Sequence, residues 1–290
     1  MSFPTTELRA AEFPQRLVEI PQPPKVLNYR GILPPADLPL ITIIGARQYT
    51  TYGKQVVDHL VDGLAGYQVG IISGLALGID SLAHEAALRN HLYTLSIPGS
   101  GLEDDVLYPA RHKQLAKRIL EADGGLLSEF ASTFRATKWS FIQRNRLMAG
   151  LSHATLVIEA TEQSGTLATA RMCVDYNREL CVVPGNIFSN NSAGPHLFMK
   201  LGATPITTAD DLVDLFGLER VAGGRQAKPA DRQDLSPAQL GILNLLTTPL
   251  DTDALIRASK LPPQEANALL MQMEFQGLIA SENGVYRAIV

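Results

Sequence analysis

Leu40-Ile41-Thr42-Ile43-Ile44-Gly45-Ala46-Arg47 is the stretch that decides the fold. An unbroken apolar run ending in glycine reads as a buried central strand of a parallel sheet. Gly45, with no Cβ, lets the backbone turn sharply and approach a ligand. Arg47 sets a permanent cation at the mouth of that turn, and Thr50, Thr51 and Tyr52 lead into a helix starting near Gly53. A strand–glycine–helix junction presents free N–H groups to an anion. The added arginine points to a phosphate, including one on a polynucleotide backbone.

The same pattern recurs along the chain. Apolar runs predict further strands at Val69–Ser73, Tyr93–Ile97, Gly125–Glu129, Thr155–Glu159 and Leu180–Val183. Helical spacing predicts helices over Tyr52–Leu64, Ile79 to about Arg89, Arg111–Glu121, from near Phe141, and from Ser164-Gly165-Thr166 to about Asn177. Strand–loop–helix alternation implies a doubly wound parallel sheet with right-handed crossovers. Glycine, serine, threonine and arginine gather after the strand ends at 45–47, 73–78, 98–101, 164–166 and 184–186. In an open parallel sheet those ends share one rim, the usual place for a ligand. Several anion-receptive turns on one rim suit a ligand with more than one phosphate.

Residues 1–39 carry Pro21, Pro23, Pro24, Pro34, Pro35 and Pro39 and are expected to be an irregular extension, with a short edge strand at Val26–Gly31. The α/β domain is then expected over 40–220, and a polar linker without periodicity over 221–234. Residues 235–290 predict helices at Ser236–Leu246, Thr252–Ser259 and Pro263–Gln276, the second capped by Asp251 or Thr252. A hairpin around Asn283-Gly284 follows. Three helices and a hairpin make a winged-helix module. Its expected recognition helix, Pro263–Gln276, holds two carboxylates and no cation, where a major-groove helix should be basic. A protein-contact or regulatory role suits it better than reading DNA.

The 290 residues have a formal net charge of -4, which excludes a globally basic nucleic-acid binder but leaves room for a local basic groove. Cys173 and Cys181 match neither a disulfide framework nor a zinc spacing. No apolar run is long enough to span a bilayer, and the N-terminus lacks signal-peptide character, so a cytoplasmic protein without membrane contact is expected. No Walker-type loop, metal cluster or nucleophile with a positioned base is evident, so neither a cofactor nor catalysis is expected.

Together the rim motifs resemble those of the DNA processing protein A (DprA, or Smf) family of bacterial single-stranded DNA binders. The residues that carry the resemblance are Gly45-Ala46-Arg47, Ser73-Gly74-Leu75-Ala76-Leu77-Gly78-Ile79-Asp80 with Ala83-His84, and Tyr108-Pro109. Ser128-Glu129, Phe141 with Arg144-Asn145-Arg146, Ser164-Gly165-Thr166 with Thr169-Ala170, and Pro184-Gly185-Asn186 complete it. The likeness covers about Pro24 to Leu218, plus the winged-helix tail. It implies an extended Rossmann-like sheet, a homodimer, protection of incoming single strands in natural transformation, and loading of RecA recombinase onto them. Members usually have serine at Ala46 and proline at Ile142, so one hydroxyl contact to phosphate is expected to be missing. Many members also carry an N-terminal helical domain, for which residues 1–23 are too short.

The residue reading and the resemblance single out Gly45, Ala46, Arg47, Ser73, Gly74, Lys138, Phe141, Arg144, Asn145, Arg146, Ser164, Gly165 and Thr166 as DNA- or phosphate-binding. Arg47 leads, because a guanidinium on a strand-end turn grips a phosphate with two hydrogen bonds. Lys138 to Arg146 interleaves cations with aromatics, as single-strand sites do, with Trp139 or Phe141 stacking on a base. Arg144 and Arg146 cannot share a helix face, so one is expected at the rim and the other on a carboxylate such as Glu129 or Glu159. Ser164 and Thr166 also suit simple capping, and Asp80 and His84 suit an internal hydrogen bond better than a catalytic dyad. The competing reading is a nucleotide phosphoribohydrolase resembling the lysine-decarboxylase-like (LOG) family. That family follows a glycine-rich Thr turn with a glutamate, whereas here Thr169, Ala170 and Arg171 follow Thr166.

Overall fold

Leu40–Ile44 forms a strand whose five residues are all buried, with side chains alternating between two apolar layers. A computed structural model describes residues 3–221, 235–246, 248–275, 278–282 and 284–288. The chain divides into two compact units, residues 1–226 and 227–290. Most of the expected linker, 222–234, and Asn283 of the expected hairpin lie outside the described residues.

The first unit runs β1 (Thr6–Leu8), α1 (Gln15–Val18), β2 (Leu27–Gly31), β3 (Leu40–Ile44), α2 (Thr51–Gly63), β4 (Gly70–Ser73) and α3 (Ile79–Arg89). It continues with β5 (Tyr93–Ser96), α4 (Lys113–Glu121), β6 (Gly125–Ser128), α5 (Lys138–Leu151), β7 (Ala154–Val157) and α6 (Thr166–Asp175). It ends with β8 (Glu179–Val182), α7 (Ala193–Lys200), β9 (Thr204–Pro205) and α8 (Ala209–Phe216). The nine strands are ordered β1-β2-β6-β5-β4-β3-β7-β8-β9. All pair in parallel from β6 to β9, while β1 and β2 are antiparallel.

The chain steps outward from β3 to β6, then returns to lay β7 on the other side of β3. The strand order therefore reverses between β3 and β7, and the loops leaving those two strands diverge to opposite faces. In doubly wound sheets this divergence opens a crevice beyond the strand ends. On one face, Ile41, Ile43 and Ile71 pack with Val57, Leu60, Ala83 and Leu212 of α2, α3 and α8. On the other, Ile44, Ile72 and Leu95 pack with Leu147, Met148, Ala170 and Phe198 of α5, α6 and α7. A fully buried side chain of this size contributes about 1.5–3 kcal/mol, so β3 is the anchor of both layers.

The N-terminal segment departs from expectation. Residues 1–39 are not merely irregular, because β2 pairs with β6 from Asn28↔Ser128 to Gly31↔Gly125 and β1 pairs with β2. The expected edge strand is thus covered by a shorter one. Leu8, Leu17, Ile20 and Leu27 join the main core, so the prolines only punctuate a segment whose apolar residues are buried.

The second unit runs α9 (Pro237–Leu245), β10 (Leu250–Asp251), α10 (Thr252–Ser259), α11 (Pro263–Phe275), β11 (Ile279–Glu282) and β12 (Val285–Ala288). Its small sheet is ordered β10-β12-β11 and packs on a core of Ile242, Leu243, Leu255, Leu270 and Met273. Ser236 and Gln239 form a reciprocal cap on α9. Asp251, not Thr252, caps α10 by accepting from the Ala254 N–H at 2.8 Å. This is a winged-helix domain.

Candidate nucleic-acid interface

The crevice at the reversal point is a cleft of about 830 Å³. The turn after β3 supplies Gly45, Ala46, Arg47 and Gln48 to its lining, and the turn after β7 supplies Thr161, Ser164, Gly165 and Thr166. Helix α5 supplies Lys138, Phe141, Ile142, Arg144 and Asn145, with Tyr108 and Asn191 completing the rim. Ten of the thirteen residues singled out from the sequence therefore converge. Ser73, Gly74 and Arg146 do not line it.

Helix α5 begins at Lys138, three residues before the expected start near Phe141. Thr137 and Ser140 cap it reciprocally, and the Ser140 hydroxyl also donates to the Gly99 carbonyl at 2.6 Å. The earlier start places Lys138 and Phe141 one turn apart, on the side that lines the cleft. Phe141 is half-buried, because its ring lies where a Cβ on Gly99 would come within 2.5 Å. The exposed Arg47 guanidinium sits over the Phe141 ring, 5.4 Å from its centroid, and Tyr108 packs against the same ring at 5.5 Å. A cation over an aromatic face gains about 0.5–1 kcal/mol at an exposed site and orients the side chain. Trp139 stands outside the cleft, 60% exposed, with its edge on Phe130 at 6.0 Å.

The two other arginines serve the frame. Arg144 is buried and donates to the carbonyls of Gly74, at 2.7 Å, and Ile97, fixing the loops after β4 and β5. Burial lowers its pKa to about 10, with Asp80 supporting the charge and Arg47 repelling it, so it stays a cation at neutral pH. Asp80 is buried too, and burial raises its pKa against the pull of Arg144 and of the Gly74 and Ala76 N–H groups. Arg146 is a correction: it is buried in an ion pair with Glu129 and is not a rim cation. Glu159 takes neither arginine. Its carboxylate accepts from the Thr50 N–H at 2.9 Å and the Thr50 hydroxyl at 2.5 Å, tying the start of α2 to the end of β7.

Ser73 and Gly74 are corrections of the same kind. Ser73 is fully buried and donates to the Ile43 carbonyl at 2.7 Å, a bond within the sheet. Gly74 is glycine because a Cβ there would overlap the Arg144 guanidinium. Gly45 does line the cleft, yet the space its missing Cβ leaves is filled by Ile79, at 2.6 Å, rather than by a ligand. Asp80 and His84 form no dyad, since Asp80 binds the Gly74 N–H and His84 Nδ1 faces the Thr94 hydroxyl at 2.7 Å.

At the N-terminus of α6 the Ser164 hydroxyl accepts from the Thr166 N–H at 3.2 Å and donates to the Thr166 hydroxyl at 2.9 Å. Thr166 in turn donates to the Gly45 carbonyl at 3.3 Å, linking the two turns. Gly165 is exposed, with open space where a Cβ would stand. Arg47, Lys138 and the N-terminus of α6 thus line one cleft, and the carboxylate among the lining residues, Asp80, is buried near Arg144. Sequence reasoning missed Tyr108, Gln48 and Asn191 as lining residues. Tyr108 was visible only as part of a dipeptide motif, and Asn191 lies in a segment without periodicity.

The profile of the DNA recombination-mediator protein A family matches residues 5–217, and that of the DprA winged helix domain matches 226–284. The chain belongs to the DNA recombination-mediator protein A family. It is 34% identical over 281 residues to Protein Smf of Escherichia coli, covering 94% of this chain and 74% of that protein. It is 34% identical over 216 residues to the DNA processing protein DprA of Bacillus subtilis, covering 72% and 70%. The X-ray structure of DprA from Streptococcus pneumoniae superposes with a TM-score of 0.66 at 34% identity, over 73% of this chain and 74% of that one. DprA from Helicobacter pylori, whose structure was described for its single-stranded DNA binding mode, gives 0.64 at 30% identity over 74% and 96%. Among the described residues no helix is long and apolar enough to cross a membrane, and no cluster of three metal-ligating side chains occurs.

Proposed function

We propose that this chain binds single-stranded DNA in the cleft between the β3 and β7 turns, protects it, and passes it to RecA recombinase as a cytoplasmic homodimer. The observation that carries the reading is the placement of Arg47 over Phe141 in a cleft that Lys138 and the N-terminus of α6 also line. Cations and helix dipole meet the phosphates, and the half-exposed Tyr108 ring beside Phe141 offers a face to an unpaired base. Duplex DNA has its base faces occupied, so the aromatic contribution favours single strands. The family description as a recombination mediator and the single-stranded DNA binding of the Helicobacter pylori relative support the same reading. A non-enzymatic role agrees with the geometry, since Glu159 is committed to Thr50 and Asp80 to the loop after β4.

Binding of a labelled dT oligomer and of a matched duplex, measured side by side, tests the function. Preference for the single strand is expected. Equal affinity for the duplex, or no binding at low salt, contradicts it, and free base released from a nucleoside monophosphate would favour the phosphoribohydrolase reading. Sedimentation at twice the 31.4 kDa chain mass is expected for the homodimer. Faster RecA-dependent ATP hydrolysis on protein-coated single strands is expected for the hand-over.

A further inference from the structure

The chain's one tryptophan stands at the lip of the cleft. Trp139 is 60% exposed on the first turn of α5, between Lys138, which lines the cleft, and Ser140, which is buried in the helix cap. One turn on, Ile142 is 56% exposed and lines the cleft as well. Residues three apart on a helix have Cβ atoms about 5–6 Å from each other, so Trp139 and Ile142 form one apolar strip leading out of the cleft.

The indole is held in place. It meets Phe130 edge-to-face with ring centroids 6.0 Å apart, and Phe130 is buried and stacked on Phe134 at 4.7 Å. The reciprocal cap of Thr137 and Ser140, with the Ser140 hydroxyl on the Gly99 carbonyl, fixes the turn that carries it. Phe130 covers at most one face of the indole, and a flat partner stacking on the other finds a ring already ordered. The surroundings are cationic. Arg135 and Lys138 are exposed, and neither pairs with a carboxylate among the described residues. No Asp or Glu occurs between Glu129 and Glu159.

We propose that Trp139 is a second stacking platform, taking a base of the single strand just outside the cleft while Lys138 and Arg135 meet adjoining phosphates. The proposal rests on the single-stranded DNA reading of the cleft. Aromatic faces interleaved with cations are what sequence-tolerant single-strand sites use. A protein partner fits less well. An indole this exposed offers on the order of 100–150 Å², against about 800 Å² on each side of a stable protein interface.

Because Trp139 is the only tryptophan, its emission reads the contact directly in the full chain. A dT oligomer of about 12 nucleotides, within the usual range of single-strand sites, is titrated twice, labelled for anisotropy and unlabelled for tryptophan emission. Emission should fall as anisotropy rises, with the same midpoint, because a stacked base quenches an indole. An abasic oligomer of the same length should bind through its phosphates and leave the emission unchanged. Trp139→Ala should weaken dT binding by about 5-fold or more, from the loss of one stacked base, at an unchanged denaturation midpoint. Trp139→Phe should recover most of that affinity. Rising anisotropy at constant emission would overturn the proposal, as would equal quenching by the abasic oligomer or unchanged dT affinity in Trp139→Ala. Loss of self-association in Trp139→Ala with dT affinity intact would also overturn it, by assigning the ring to contact between copies of the chain. No anisotropy change with the wild type would instead contradict the cleft reading itself.

Discussion

The two units relate fold to surface in opposite ways. The winged-helix unit has the architecture of a duplex reader, yet α11 carries Glu265 and Glu274 and no cation. Its exposed residues include Gln264, Glu265, Asn267 and Met271, and Glu274 is spent on the Ser281 N–H and hydroxyl. The sheet unit belongs to an architecture that hosts many chemistries, and its parent chain is acidic overall, yet it gathers cations, aromatic faces and a helix N-terminus in one cleft. Function follows the local site rather than the fold or the net charge.

The largest effect that separates frame from contact within the sheet unit should come from Arg144→Ala. Removing it strips the buried Gly74 and Ile97 carbonyls of their donor, and each buried group left unsatisfied costs about 1–3 kcal/mol. Chemical denaturation of the sheet unit should show that loss, whereas a drop in DNA affinity at unchanged stability would move Arg144 from frame to contact. Arg47→Ala should do the reverse. Its guanidinium is exposed, so the denaturation midpoint should hold while dT affinity falls by about 10- to 100-fold, the value of a hydrogen bond to a charged group.

A pH titration sharpens the contrast further. Burial lowers the His84 pKa from 6.5 to about 3, so between those values the unfolded chain binds a proton that the folded chain refuses. Stability from this group is present above pH 6.5 and is lost as pH falls toward 3. Denaturation at pH 7 and pH 5 should differ by about 2 kcal/mol on this account, and His84→Gln should remove that share. The smallest effect should come from deleting residues 227–290, the second unit. Single-strand affinity should change less than about 3-fold, well under 1 kcal/mol. A large loss would return the winged helix to the role its shape suggests.

The sheet was legible because its strands are apolar runs that stop at glycine, and β3 to β8 appear where those runs stand. β2 stands at the strand expected over Val26–Gly31, whereas β1 was hidden because its three residues mix exposed and buried positions, and pairing with β2 rather than pattern makes it a strand. α7 and α8 were missed for a similar reason, being short, with Gly194 and Pro195 interrupting the first. The cleft was legible as a list of turns but not as a division of labour. Arg144 and Arg146 look alike in sequence, and only the packing of α5 aims one at the β4 and β5 loops and the other at Glu129. Ser73 and Gly74 carry the composition of a phosphate loop, yet one is a sheet hydrogen bond and the other is space for a guanidinium.

The salt dependence of dT binding by the wild type and Arg47→Ala tests the central claim most directly. If Arg47 meets a phosphate, the substitution should lower affinity and flatten the slope of log K against log salt by about 0.7, one released counterion on a single strand. An unchanged slope with unchanged affinity would contradict the account and place the strand elsewhere on the molecule.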